Sequence, residues 1–172
     1  KATVRLGGLS IFFGTSIGIL TLYFSGYFND FSIENKEKLA VTLFFSFLLF
    51  CLGFSDDLFS LTPFSRLILQ IILSIIFFSK LDLNYAMQIS WGLDHIETIE
   101  IPSFVSNLFA IFWLVGIINA LNWIDGLDGL LPINCTVFGS GIFLISLFTG
   151  NIDTLFFSSI TCGVCLGFLK FN

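Results

Sequence analysis

Stretches without any Asp, Glu, Lys or Arg dominate the chain, at positions 9–28, 39–55, 67–79, 104–124, 129–149 and 154–169. Their apolar residues run on without the alternation that a membrane barrel strand shows. In hydrocarbon a backbone must satisfy its own N–H and C=O groups, so segments of this kind are helices. The pattern therefore predicts an all-α integral membrane protein, a polytopic bundle of about six transmembrane helices forming a single membrane domain over 1–172. Stretch 67–79 is short for a hydrocarbon core about 30 Å thick, but Arg66 and Lys80 at its ends can snorkel and extend its reach. The longest polar connection, 81–103, holds Trp91, Gly92 and the partly alternating Ile96-Glu97-Thr98-Ile99-Glu100-Ile101 before Pro102. It predicts a short external β-hairpin.

Counting crossings assigns the polar residues to sides. Lys1, Arg5, the segment Asp56 to Arg66, Asp125, Asp128 and Lys170 fall on one side. Asp30, Glu34, Glu37, Asp82, Asp94, Glu97, Glu100 and Asp153, with Lys36, Lys38 and Lys80, fall on the other. Lys and Arg are slightly more numerous on the first side, which makes it the cytoplasmic one by the positive-inside rule.

Composition agrees. The chain is 56% hydrophobic and 11% charged over 172 residues, with a mean hydropathy of +0.98. Its seven Lys and Arg are scattered and its net charge is −5. No basic stripe exists to meet a phosphate backbone, so nucleic acid is not an expected partner. Cys51, Cys135, Cys162 and Cys165 lie in or beside apolar stretches and read as packing residues, and the single His95 excludes a two-histidine metal motif. The chain begins at Lys1 with an apolar stretch close behind, which predicts a fragment truncated at both ends.

Chemistry is concentrated in two acidic clusters. An ionised Asp at the bilayer centre costs about 2.5 to 3.5 kcal/mol on insertion scales, so acids kept at span ends face a cavity, a partner or a metal. Asp56 and Asp57 follow Gly53-Phe54-Ser55 at the end of the second stretch. Their neutralisation is open between a divalent cation, Arg66 and solvent exposure in the loop. In Asn119-Ala120-Leu121-Asn122-Trp123-Ile124-Asp125-Gly126-Leu127-Asp128-Gly129-Leu130, Asp125 and Asp128 are one helical turn apart, and Asn119 and Asn122 offer amides on the same stripe. Gly126 and Gly129 allow a close backbone approach or a positive φ. Two acidic clusters and Arg66 on one side of a membrane suit metal-bridged phosphoryl transfer with a lipid reactant. A hard cation such as Mg²⁺ takes carboxylate and phosphate oxygens, and Arg forks onto phosphate.

These residues resemble the polyprenyl-phosphate N-acetylhexosamine-1-phosphate transferase superfamily, glycosyltransferase family 4. Lys1-Ala2-Thr3-Val4-Arg5-Leu6-Gly7-Gly8 is similar to the family's basic segment, although the family commonly has Pro at Val4 or Ala2. Gly53 to Gln70, with Asp56, Asp57, Leu61, Pro63, Arg66 and Gln70, resembles its first aspartate loop. Asn119 to Leu130 resembles its second, and is the most specific match. Gly167 to Asn172 resembles the approach to a further cytoplasmic motif. The interval between the aspartate loops, positions 58–124, resembles the branch that starts O-antigen, common-antigen or teichoic-acid linkage synthesis.

The resemblance implies transfer of a sugar 1-phosphate from a UDP-N-acetylhexosamine to undecaprenyl phosphate at the cytoplasmic face of the bacterial inner membrane, with release of UMP. It implies Asp125 as a ligand of Mg²⁺, or Mn²⁺, and Asp128 as support for substrate or metal. Asp56 and Asp57 would serve the lipid phosphate or the metal, one of them as a base. Arg66, Asn122 and Asn119 would bind substrate. A homodimer is compatible with this reading. The family's later cytoplasmic loops, one with a histidine motif, lie beyond Asn172, so an inactive truncated transferase is one alternative. The other is a transporter or channel using the aspartates as an ion path. That reading expects acids near mid-membrane, not at span ends.

Overall fold

The computed structural model describes residues 7–81, 86–90, 96–124 and 129–170. Helices α1 (Gly7–Phe24), α2 (Ile33–Phe59), α3 (Pro63–Leu81), α4 (Ser103–Ile124), α5 (Leu130–Thr149) and α6 (Ile152–Leu169) are each long and apolar enough to cross a membrane. The chain is an all-α polytopic membrane protein. Between α3 and α4 the backbones of β1 (Ala86–Ser90) and β2 (Ile96–Glu100) pair antiparallel, with Gln88 opposite Thr98. The reversal that would make them a hairpin, with Trp91 and Gly92, lies outside the described residues.

Many large apolar side chains are exposed, while several small polar ones are buried. Phe148 is 90% and Phe24 81% exposed, while Ser74, Ser106, Ser146 and Ser158 are buried. In water so wide an apolar surface would aggregate. In lipid it is solvated, and small residues let the helix backbones approach.

Helix ends do not coincide with the limits of the apolar stretches. The first stretch continues to Phe28, but α1 stops at Phe24 because Gly26 turns left-handed at φ 79, and a 3₁₀ turn (Tyr27–Asp30) follows. The second begins at Leu39, yet α2 starts at Ile33, where Glu34 and Lys38 pair one turn apart at 2.6 Å. Such an i, i+4 pair supports a solvated helical extension. Helix α3 starts at Pro63, which needs no N–H partner in a first turn.

The described residues gather into two units. One comprises α1, the 3₁₀ turn, the last residues of α4, α5 and α6; the other comprises α2, α3, the strands and most of α4. In the first, α1 runs antiparallel to α6 along a glycine stripe. A Cβ added at Gly14 would lie 3.0 Å from Val164, and one at Gly18 would lie 2.7 Å from Ile160. Gly14 and Gly18 form a small-xxx-small pair of the kind that brings membrane helices into close contact. The line of contact ends where Tyr27 stacks edge-on against Phe156, with centroids 4.8 Å apart, and donates its hydroxyl to the Asp153 carboxylate. Gly150 (φ 69) and the Asn151 side chain, which accepts from the Thr154 N–H at 3.1 Å, close the α5–α6 turn.

In the second unit α2 packs on α3, with Phe45 against Phe77 at 5.4 Å. The two helices are joined by the short turn Ser60-Leu61-Thr62.

Two outcomes follow from this packing. Gly18→Leu should lower stability by about 1 to 3 kcal/mol through overpacking against Ile160, whereas Gly116→Ala, with open space around it, should not; thermal unfolding in detergent measures both. Burial, the Asp153 hydrogen bond and the Asp153 charge push the Tyr27 phenol up to about 12 from 10.0. Because the folded value is the higher one, this bond's stabilisation is present below pH 10 and lost as pH rises through 12. Tyr27→Phe should therefore cost about 0.5 to 1 kcal/mol at neutral pH, and the gap should close in strong alkali.

Candidate active site at the turn between α2 and α3

Asp56 and Asp57 belong to the last turn of α2, not to the connection after it. The turn is built locally. Ser60 sits left-handed at φ 51, and its N–H reaches back to the Asp56 carbonyl at 2.8 Å. A non-glycine residue held there costs of order 1 kcal/mol, a cost met at sites the surrounding structure over-determines. Thr62 then caps α3: its Oγ1 accepts from the Ser65 N–H at 3.2 Å, and its carbonyl accepts from the Arg66 N–H at 3.1 Å.

The electrostatics run against the helix dipoles. Two carboxylates stand at the negative end of α2, which has no basic residue in its last turn, and Arg66 stands near the positive end of α3, which has no acid in its first. The two misfits offset one another: Arg66 Nη1 donates to Asp56 Oδ2 at 2.6 Å. The side chains are 18% and 20% exposed, so the pair is only partly screened and is a charge-assisted bond, not a loose surface contact. Of the three ways open for neutralising Asp56, the structure takes Arg66. Asp57 is exposed.

One turn deeper on α3, Gln70 is 4% exposed and its Oε1 accepts from Asn119 Nδ2 at 2.7 Å. Asn119 Nδ2 also donates to the Val115 carbonyl at 2.8 Å. Ser74, a further turn along and 1% exposed, donates to the Gln70 carbonyl at 2.7 Å. Asn119, expected as a substrate contact, thus has its amino group engaged inside the bundle, whereas Asn122 is exposed. Asp125 and Asp128, with Gly126, lie outside the described residues. Gly129, which opens α5, does take the positive φ, at 75.

In the sequence Gln70 falls in the first aspartate loop without a legible role, and Ser74 is not singled out. The signal that finds them is Arg66, Gln70 and Ser74 spaced by four within an otherwise apolar segment, one polar stripe down α3. Among the described residues no group of three or more His, Cys, Asp or Glu gathers around a common point. Asp56 and Asp57 are hard oxygen donors at the negative end of a helix, which fits Mg²⁺ held by one or two carboxylates and completed by substrate phosphate and water.

The fold and this turn define a polytopic membrane protein with an ion-paired acidic helix end. Comparison with known proteins narrows that class: residues 39–172 match the model of the family described as "Glycosyl transferase family 4", and the chain belongs to that family. It is 32% identical to the "Phospho-N-acetylmuramoyl-pentapeptide-transferase" of Streptococcus uberis, over 78% of this chain and 40% of that protein. It is 33% identical to the protein of the same name from Streptococcus pneumoniae strain 70585, over 99% of this chain and 51% of that one. It is 28% identical to the "Probable undecaprenyl-phosphate N-acetylglucosaminyl 1-phosphate transferase" of Bacillus subtilis, over 100% of this chain and 44% of that protein. The chain spans 40% to 51% of the length of these relatives. No solved structure matches it significantly.

The ion pair has a measurable signature. Arg66→Leu should destabilise the chain by about 2 kcal/mol by stranding a half-buried carboxylate, and Asp56→Asn added to it should recover part of the loss. A double-mutant cycle in detergent reads the coupling; additive losses would show that the bond contributes nothing.

Proposed function

We propose that this chain is part of a membrane-embedded phosphosugar transferase. It moves a sugar 1-phosphate from a UDP-N-acetylhexosamine to undecaprenyl phosphate, at the cytoplasmic face of a bacterial plasma membrane. The observation that carries the proposal is the Asp56–Arg66 pair beside Asp57, at the end of a membrane helix of a glycosyl transferase family 4 chain. The names of the relatives supply the substrate class: one carries undecaprenyl phosphate and N-acetylglucosaminyl 1-phosphate, others carry a phospho-N-acetylmuramoyl pentapeptide. By its resemblance the interval 58–124 suits the branch that initiates O-antigen, common-antigen or teichoic-acid linkage synthesis, while the pentapeptide transferases are the more identical relatives, at 32% and 33% against 28%, so both donor types belong in the test.

In this reading an oxygen of the lipid phosphate attacks the β-phosphorus of the nucleotide sugar. A new P–O–P bond forms, the bond from the bridging oxygen to that phosphorus breaks, and UMP leaves with the bridging oxygen. The second pKa of a phosphate monoester is about 6, so the attacking oxygen is already negative near neutrality and demands little of a base. Asp57, Asp56 and Asp125 would hold Mg²⁺ or Mn²⁺, with Asp128 in support. When bound, that ion neutralises diphosphate charge. Arg66 sits beside the carboxylates, where its guanidinium can meet a phosphate oxygen as well as Asp56, and Asn122 and Asn119 contribute polar contacts to the substrate. Positioning and charge then carry the rate.

The test is UMP release by membranes containing the complete protein, supplied with undecaprenyl phosphate, Mg²⁺ and a panel of donors that includes UDP-N-acetylglucosamine and UDP-N-acetylmuramoyl-pentapeptide. Release should require lipid and metal, and Asp125→Asn should lower it by about a hundredfold or more without affecting insertion. Full activity in that variant, or no release with any donor, would contradict the proposal.

A further inference from the structure

The Asn119 amide can be oriented in only one way. The atom 2.8 Å from the Val115 carbonyl faces an obligate acceptor, so it is the amino nitrogen and not the oxygen. The same nitrogen lies 2.7 Å from the end of Gln70, so the Gln70 atom there must be its oxygen. This sequence of constraints starts from a backbone group and passes through two residues that cannot swing away. Val115 is 7% and Gln70 4% exposed, and Ser74 at 1% packs one turn beyond and donates to the Gln70 backbone.

Both hydrogens of the Asn119 amino group are therefore committed, one to Val115 and one to Gln70. What Asn119 has left for a ligand is Oδ1, which can only accept. A phosphate oxygen also only accepts, so the two have no bond to make. Gln70 is what enforces this: without it one amide hydrogen is released and the group is held by Val115 alone.

We propose that Gln70 is a positioning residue that locks Asn119 as an acceptor, so that Asn119 reads an N–H or O–H donor of the nucleotide sugar and does not contact its phosphates. The proposal rests on the transferase reading for the identity of the ligand. The lock itself stands on the two hydrogen bonds.

The experiment uses the complete protein in detergent, with ¹⁵N-labelled asparagine and UDP-N-acetylglucosamine as the probe. The Asn119 side-chain amide, assigned by its loss in Asn119→Leu, should exchange slowly with solvent in the wild type and in Gln70→Glu, which keeps acceptor oxygens at that position. It should exchange fast in Gln70→Met. Gln70→Met should weaken binding of the nucleotide sugar by about tenfold, as should Asn119→Leu, and the double variant should be no weaker than either. Gln70→Glu should restore most of the affinity.

Fast exchange in the wild type, unchanged binding in Gln70→Met, or additive losses in the double variant would overturn the proposal. A wild-type chain with a slow amide that binds no nucleotide sugar would overturn the transferase reading and the ligand assignment, while leaving the lock in place.

Discussion

Hydrocarbon offers no hydrogen bonds, and the rest of the structure follows from how its polar groups find partners without water. Helix α3 shows the rule most clearly. Arg66, Gln70 and Ser74 lie a turn apart on one stripe, and each finds a partner within the protein: Arg66 donates to Asp56 in an ion pair, Gln70 accepts from the Asn119 amide, and Ser74 donates to the Gln70 carbonyl of its own helix. Interhelical polar contacts of this kind contribute about 0.6 kcal/mol each on average, less than a single buried leucine would give in water. Their value here is in fixing which faces meet. A slide of α4 along α3 would break the bond between Asn119 and Gln70 and leave Asn119 held only by Val115 of its own helix.

The same constraint localises the chemistry. The first acidic cluster stands at a helix end, where the dipoles of α2 and α3 both oppose the charges placed on them. Such an arrangement is poor for stability unless something of opposite sign is supplied. Arg66 supplies part of it. The left-handed Ser60 between the two helices is a second local cost at the same turn. An acidic helix end next to an arginine suits a ligand that brings both phosphate and a cation, and suits less well an ion path through the middle of the bundle.

The helical architecture was legible because continuous apolar runs admit little else. The helix limits were not. Apolar runs mark contact with lipid, whereas α1 ends where Gly26 can turn left-handed and α2 begins where Glu34 and Lys38 can pair in the solvated extension. Asp56, Asp57 and Arg66 are legible because charges next to apolar stretches are conspicuous. That Arg66 bonds Asp56 depends on the three-residue geometry of the turn, which the sequence leaves open. Gln70 carries the resemblance to the first aspartate loop but no role can be read for it from the sequence, and its meaning appears only when Asn119 is seen opposite it. The contact between Tyr27 and Asp153 joins residues far apart in the chain and left no pattern to read.

In the proposed reaction a phosphorylated sugar, and not a bare sugar, is passed to a lipid phosphate. The mass of the lipid product tests this most directly, measured by mass spectrometry after the complete protein has been incubated with undecaprenyl phosphate, Mg²⁺ and its UDP-N-acetylhexosamine. The expected product is a lipid heavier by one phospho-N-acetylhexosamine unit. A lipid heavier by the sugar alone, or an unmodified lipid beside hydrolysed nucleotide sugar, would contradict it.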